Sequence, residues 1–241
     1  MSARIPKKAM VLAAGLGLRM RPLTQTCPKP LITVGGRRLI DWGLDALERA
    51  GVQEAVVNVH YLPDKLIDYL ACRQAPRIAI SDERDRLLDS GGAVARALPL
   101  LGPASFLLLN ADTFWIDGSS NNLNRLTLAW DAAEMDILML LADPASATGH
   151  TGKADFTMDA EGRLKRAGGG DGLIYAGAAI VNPALLEGVP AEPHSLNVHF
   201  DRAIEAGRLY GLPLDGHWIT VGTPEAIPAT EALLRHLGIS P

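Results

Sequence analysis

Five positions in the first half of the chain have the types and order needed to hold a polyphosphate: Gly15, Gly17, Arg19, Lys29 and Asp112. Leu12, Ala13 and Ala14 lead into the glycines, and small residues there let a ligand approach the backbone closely. Glycines permit positive-φ turns that aim successive N–H groups at one point, and such amides suit phosphate oxygens. Arg19 adds a planar fork of donors and Lys29 a compact point charge. Asp112 follows Asn110 and Ala111 at the end of an apolar run, where a hard carboxylate can hold Mg2+. The loop is not a dinucleotide fingerprint, because Gly17 is followed by Leu18, Arg19 and Met20. No glycine-lysine-serine or glycine-lysine-threonine follows, so it is not a Walker loop either. A plainer reading stays open from the residues alone: two solvated cations and an aspartate capping a turn.

These side chains need a frame that brings them together. Ala9–Ala14 is a compact apolar run suited to a strand buried on both faces. Apolar spacing predicts a helix over Leu39–Ala50, stopped by Gly51. Glu54–His60, Ile78–Ser81 and Ser105–Asn110 read as strands, with helices at Pro63–Leu70 and from Ala93 to Leu101. Alternating strands and helices imply an α/β fold with a parallel sheet covered on both faces. Ligands of such sheets collect beyond the carboxyl ends of the strands, where Gly15 and Asp112 both lie. The second half is less regular. Met135–Leu141 and Leu173–Val181 read as strands, Lys153–Met158 and Arg163–Ala167 as a hairpin, and His199–Gly207 and Pro224–Leu237 as helices. Gly177 inside its strand marks a bulge or a close approach. No repeat or low-complexity linker divides the chain, so one continuous domain is expected.

Composition narrows the partners. The 241 residues are 48% hydrophobic and 21% charged, ordinary values for a chain that buries a core. Net charge is −4 with no basic run, which argues against nucleic acid. Cys27 and Cys72 have no metal-ligand or disulfide spacing and are expected as covered thiols. No apolar stretch is long enough to span a membrane, and no signal peptide is read at the start, so the expected location is the cytoplasm. The six histidines are scattered without metal-ligand spacing.

The stretch Leu12–Thr24 followed by Pro28-Lys29-Pro30-Leu31 resembles the signature loop of the sugar-1-phosphate nucleotidyltransferases. The resemblance continues through Leu39–Val52, Asp89-Ser90-Gly91-Gly92, Asn110-Ala111-Asp112, Tyr175-Ala176-Gly177 and Gly216–Glu225, and covers most of the chain. Within that family the sequence is most similar to the bacterial N-acetylmuramic acid 1-phosphate uridylyltransferases, with short mannose-1-phosphate guanylyltransferases next. The resemblance implies a Rossmann-like nucleotide-diphospho-sugar transferase fold: a mostly parallel central sheet, helices on both faces and a small β-rich sugar-binding part. The nucleotide half would span about residues 1–115, the sugar half 116–223, and the last helix 224–241.

It also implies a site. Leu12, Ala13, Ala14, Gly15, Gly17, Arg19, Lys29, Ser90 and Gly91 would bind the nucleoside triphosphate, with Arg19 and Lys29 catalytic. Asp112 would bind Mg2+. Asn110, Asp155, Gly177 and Asn197 would face the sugar 1-phosphate. Ser90 and Asn197 equally suit helix caps. The chain is expected as a monomer or small homo-oligomer. One position departs from the family. Where its closing motif has a second metal aspartate, this chain has Thr220. A neutral hydroxyl is a poor substitute, and Asp201 and Asp215 are the nearby acids. Thr220 also keeps open a non-catalytic nucleotide-sugar-binding role.

Overall fold

The computed structural model describes residues 5–239. The chain begins with β1 (Lys8–Leu12), then forms a small ribbon of β2 (Thr33–Val34) and β3 (Arg37–Arg38). α1 (Leu39–Ala50), β4 (Glu54–Val59), α2 (Pro63–Leu70), β5 (Arg77–Asp82), α3 (Asp89–Leu101) and β6 (Phe106–Asn110) complete the alternating half. There follow β7 (Thr113–Asp117), α4 (Asn122–Ala129), β8 (Ile137–Ala142), β9 (Ala147–Thr148), β10 (Phe156–Met158), β11 (Leu164–Arg166) and β12 (Ile174–Val181). α5 (Asn197–Glu205), β13 (Leu209–Pro213), β14 (Gly216–Thr220) and α6 (Ala226–His236) close the chain.

The seven-stranded central sheet runs β13-β8-β12-β6-β1-β4-β5. Its neighbours pair in parallel except around β12, which is antiparallel to both β6 and β8. Strand alternation sends Ala9, Val11, Leu107 and Leu109 into one core with α1, α2 and α4. Met10, Phe106 and Leu108 face the other core with α3 and α5. The expected layered α/β frame is therefore present, helices covering both faces. No helix among the described residues is long and apolar enough to cross a membrane. Cys27 is half-buried and Cys72 exposed, so the second thiol is less covered than its sequence suggested.

Beyond the sheet edge, β7, β14 and β9 form a three-stranded sheet, and β10 and β11 form the expected hairpin. The sequence reading did not identify β7, β13, β14 or α4. Trp42 of α1 stacks on Phe114 of β7 at 4.4 Å between ring centres, joining this small sheet to the main body. Asn122 anchors its far end. Fully buried, it donates to Asp117 at 2.8 Å and to the Asp215 carbonyl at 2.8 Å, and accepts from the Asp215 amide at 2.9 Å. Asn122→Ala leaves the Asp215 amide without an acceptor and removes one of the two donors to its carbonyl, the other being the Gly118 amide at 2.9 Å. The expected loss is about 2–3 kcal/mol, read from urea unfolding; a loss within error would refute this anchoring role.

Candidate active site

β1 and β6 are adjacent and parallel, with Leu12 opposite Asn110. Their following segments therefore leave the sheet side by side, and the Ala111 amide donates to the Leu12 carbonyl at 3.1 Å. After β1 the Ala13 amide is taken by the Asn58 side chain at 2.7 Å. The next amides, Ala14, Gly15, Leu16 and Gly17, find no protein acceptor among the described residues. They are free donors at the carboxyl edge of a parallel sheet, the place such folds reserve for ligands. Gly17 turns the loop in the left-handed region at φ +61, where a side chain would meet Thr24 and Lys29. The Thr24 hydroxyl donates to the Gly17 carbonyl at 2.8 Å and locks that turn.

Two hollows meet at this loop. One, of about 340 Å³, is lined by Leu12–Gly15, Lys29, Asn58, Asp89, Ser90, Asn110 and Asp112 among others. The other, of about 480 Å³, shares Gly15, Lys29 and Asp112 and extends past Gly17 and Arg19 to Gly222. Lys29 lies between them and donates to Asp112 at 2.6 Å. The Arg19 guanidinium lies over Gly222. The expected triphosphate cations and metal carboxylate thus converge, although they are separated by up to 93 residues of chain.

Among the described residues the fit to a divalent metal rests on Asp112. Thr220 pairs with Thr113, and the Val221 amide donates to the Asp112 carbonyl at 3.0 Å, so Thr220 stands at the position beside it. Neither nearby acid replaces the missing carboxylate. Asp201 is held by Arg166 at 2.8 Å on α5. Asp215 lies before the opposite end of β14 and accepts from Ser119 and Ser120, which keep its carboxyl below the usual range. Among the described residues no three His, Cys, Asp or Glu side chains group as a metal site. One carboxylate still suits Mg2+ when substrate phosphates supply further oxygens, as that ion keeps waters and leans on phosphates.

The sugar-side candidates divide. Gly177 sits in a bulge at φ +77, and a side chain there would run into Thr113 and Asn110, so Gly177 and Asn110 are neighbours. Asp155 is exposed and accepts from the Tyr175 amide at 2.9 Å, which ties the β10 side to β12. Asn197 is the first residue of α5 rather than its cap; it accepts from Arg166 at 2.9 Å and donates to Ser195. Neither Asp155 nor Asn197 lines the two hollows.

On the nucleotide side, α3 begins at Asp89, four residues before the expected start, with Asp89 at φ +57. Ser90 is inside the helix rather than its cap, and its hydroxyl accepts from the Leu196 amide at 3.0 Å. Gly91 does not line the hollow. Its Cα faces the His194 ring, and its amide donates to the His194 carbonyl at 2.8 Å.

Two polar residues of the site were not singled out from sequence. Asn58 interrupts the apolar run of β4, and its amide bridges Ala13 to the Glu83 carboxyl at 2.9 Å. Glu83 is fully buried and also accepts from the Leu88 amide at 3.4 Å. It thereby links the signature loop to the Leu87–Ser90 wall. A polar side chain inside a two-faced strand was the signal for Asn58; nothing local marked Glu83.

Residues 8–149 match the Nucleotidyl transferase family. The chain belongs to that family and is a nucleotidyltransferase. It is 42% identical to an N-acetylmuramate alpha-1-phosphate uridylyltransferase of Caulobacter vibrioides, over 96% of this chain and 98% of that one. It is 35% identical to the enzyme of that name from Neisseria meningitidis, over 94% and 97%. A mannose-1-phosphate guanylyltransferase of Arabidopsis thaliana is 29% identical, over 90% of this chain and 62% of its own. In fold it resembles UDP-glucose pyrophosphorylase from Acinetobacter baumanii, with a TM-score of 0.78 at 17% identity over 95% of this chain and 94% of that one.

Burial pushes the Glu83 carboxyl above its ordinary 4.5, outweighing the bonds from Asn58 and Leu88. A raised carboxyl favours folding below the unfolded value and loses that contribution as pH rises through the folded value. Glu83→Gln removes the titration. Its stability relative to the parent should therefore improve in urea unfolding as pH rises from the ordinary 4.5 through the raised value. A constant difference across that range would contradict the shift.

Proposed function

We propose that this chain transfers UMP from UTP to N-acetylmuramate α-1-phosphate, releasing pyrophosphate. What carries the choice of substrates is end-to-end similarity to two uridylyltransferases of that specificity, at 42% and 35% identity. The convergence of Lys29, Arg19, Asp112 and the free amides of Ala14–Gly17 supports phosphate chemistry at that edge. We read the chain as one catalytic domain working in the cytoplasm on a salvaged cell-wall sugar.

In this reading the uridine lies in the hollow between Leu12–Gly15 and the Leu87–Ser90 wall. The triphosphate follows the loop toward Arg19. An oxygen of the sugar phosphate attacks the α-phosphorus of UTP; a new P–O bond forms, the bond to the β-phosphate oxygen breaks, and pyrophosphate leaves. The nucleophile is already an anion, so no strong base is needed. The barrier is repulsion between two anions and their alignment. Lys29 gives up Asp112 and neutralises the α-phosphate or the incoming phosphate. Arg19 and the amides of Ala14–Gly17 receive charge that develops on the pyrophosphate. Asp112 would hold Mg2+, which when bound supplies further charge neutralisation across phosphate oxygens. Asn110, with the backbone at Gly177, orients the sugar.

The test is a pyrophosphate-release screen of UTP, GTP, CTP and dTTP against N-acetylmuramate, N-acetylglucosamine, mannose and glucose 1-phosphates, with and without Mg2+. UTP with the N-acetylmuramate ester should lead. GTP with mannose 1-phosphate leading would replace this specificity, and nucleotide binding without pyrophosphate release would overturn catalysis. Lys29→Ala and Arg19→Ala should each lower kcat/KM by about 100-fold or more with unfolding unchanged. Near-normal rates in either variant would refute its assignment.

A further inference from the structure

The start of α3 lines one wall of the nucleotide hollow through Asp89 and Ser90, yet the next two amides, of Gly91 and Gly92, are already taken. A segment from the far half of the chain covers them. The His194 carbonyl accepts from the Gly91 amide at 2.8 Å and from the Gly92 amide at 3.3 Å. The His194 amide donates to the Leu88 carbonyl at 3.1 Å, and the Leu196 amide donates to Ser90 at 3.0 Å. Four hydrogen bonds therefore fasten residues 194–196 to the turn that carries Asp89 and Ser90.

What holds the fastening segment is a pair of imidazoles. His194 Nε2 lies 2.9 Å from His199 Nε2, and His199, on α5, is 1% exposed. The proton positions follow from the neighbours. His194 Nδ1 is 2.8 Å from the Glu192 carbonyl, which can only accept, so Nδ1 carries the proton. In the neutral ring Nε2 is then a lone pair, and it accepts from His199 Nε2–H. His199 Nδ1 is left as a buried lone pair without a partner among the described residues. One further proton has no good place. It puts an N–H at His199 Nδ1, where nothing accepts it, and a second one sets two N–H groups face to face. The surroundings also oppose a cation. Arg202 is the charged neighbour on α5, and α3 presents Gly91 and the positive end of its dipole, with Asp89 its first-turn acid.

We propose that His194 and His199 are positioning residues of the nucleotide site: neutral, the pair bolts residues 194–196 over the start of α3 and holds the Leu87–Ser90 wall; protonated, it releases that wall. Burial, then His194 and Arg202, push the His199 imidazole below its ordinary 6.5. A depressed histidine contributes fully above the unfolded value and loses its contribution as pH falls toward the folded one. Nucleotide affinity should weaken on acidification for a reason that lies outside the triphosphate.

The inference rests on the uridylyl reading only for its probe, UTP. Calorimetric titrations with UTP at about pH 7.5 and about pH 5.5 compare the parent with two variants. His194→Gln keeps an amide oxygen to accept from His199 and should bind as the parent does at the higher pH. His194→Leu breaks the pair at its half-buried member. It should bind about fivefold more weakly at the higher pH and lose less on acidification. Protonation of UTP is common to all three proteins, so the difference isolates the pair. Equal affinities and equal pH dependences in all three would overturn the proposal. Amide exchange in the free protein gives a second reading: Gly91 and Gly92 should lose protection in the parent on acidification and lack it in His194→Leu at both pH values. Failure of UTP to bind any of the proteins would count against the uridylyl reading, and exchange would still decide the strut: protection unchanged by pH and by His194→Leu refutes it.

Discussion

The parallel pairing of β1 with β6 is the constraint on which the site depends. With Leu12 opposite Asn110, both strands end on one line, and the chain after each emerges at the same edge. Asn58, from the neighbouring β4, takes the Ala13 amide and so fixes where the loop departs. The following amides are left without protein partners among the described residues. In the sheet interior that would be costly; at this edge it leaves donors of the kind that suit phosphate oxygens. Lys29 then returns across the gap to Asp112, and cation and carboxylate neutralise each other.

The second half of the chain is built onto that edge. β12 runs antiparallel to β6, and its bulge sets Gly177 against Asn110. β14 pairs with β7 and ends at Thr220, next to the Val221 amide that bonds the Asp112 carbonyl. The backbone frame for a second ligand is thus in place while the side chain is neutral. A site with one carboxylate depends more on substrate oxygens to hold a metal than a site with two. The same closing loop places Gly222 under the Arg19 guanidinium, so it also lines the hollow beside Arg19.

Much of the frame was legible because it is local. Apolar runs such as Met10–Leu12 and Phe106–Leu109, and the helical spacing from Leu39 to Ala50, declare themselves within a few residues. Two glycines, Gly17 and Gly177, also marked real conformational needs. What was hidden depends on partners far along the chain. β7 and β14 lie outside the alternating half, and their pairing with each other, and of β14 with β9, is made between segments far apart in the chain. The start of α3 is fixed by His194, more than 100 residues away, which is why Gly91 faces a protein ring rather than the hollow. Asp155 and Asn197 were sugar-side candidates by resemblance alone; in the fold Asp155 accepts from the Tyr175 amide and Asn197 from Arg166, contacts with residues far along the chain. Glu83 was missed for the opposite reason, since an acid in a charged stretch reads as solvated until the fold buries it.

The central claim is that the unpartnered amides after β1, with Arg19 and Lys29, receive the triphosphate. The direct measurement is a crystal structure with UTP and Mg2+ bound. The account predicts phosphate oxygens within hydrogen-bond distance of two or more of the Ala14–Gly17 amides, and Lys29 moved from Asp112 onto a phosphate. A triphosphate seated elsewhere, with Lys29 still paired to Asp112, would contradict it.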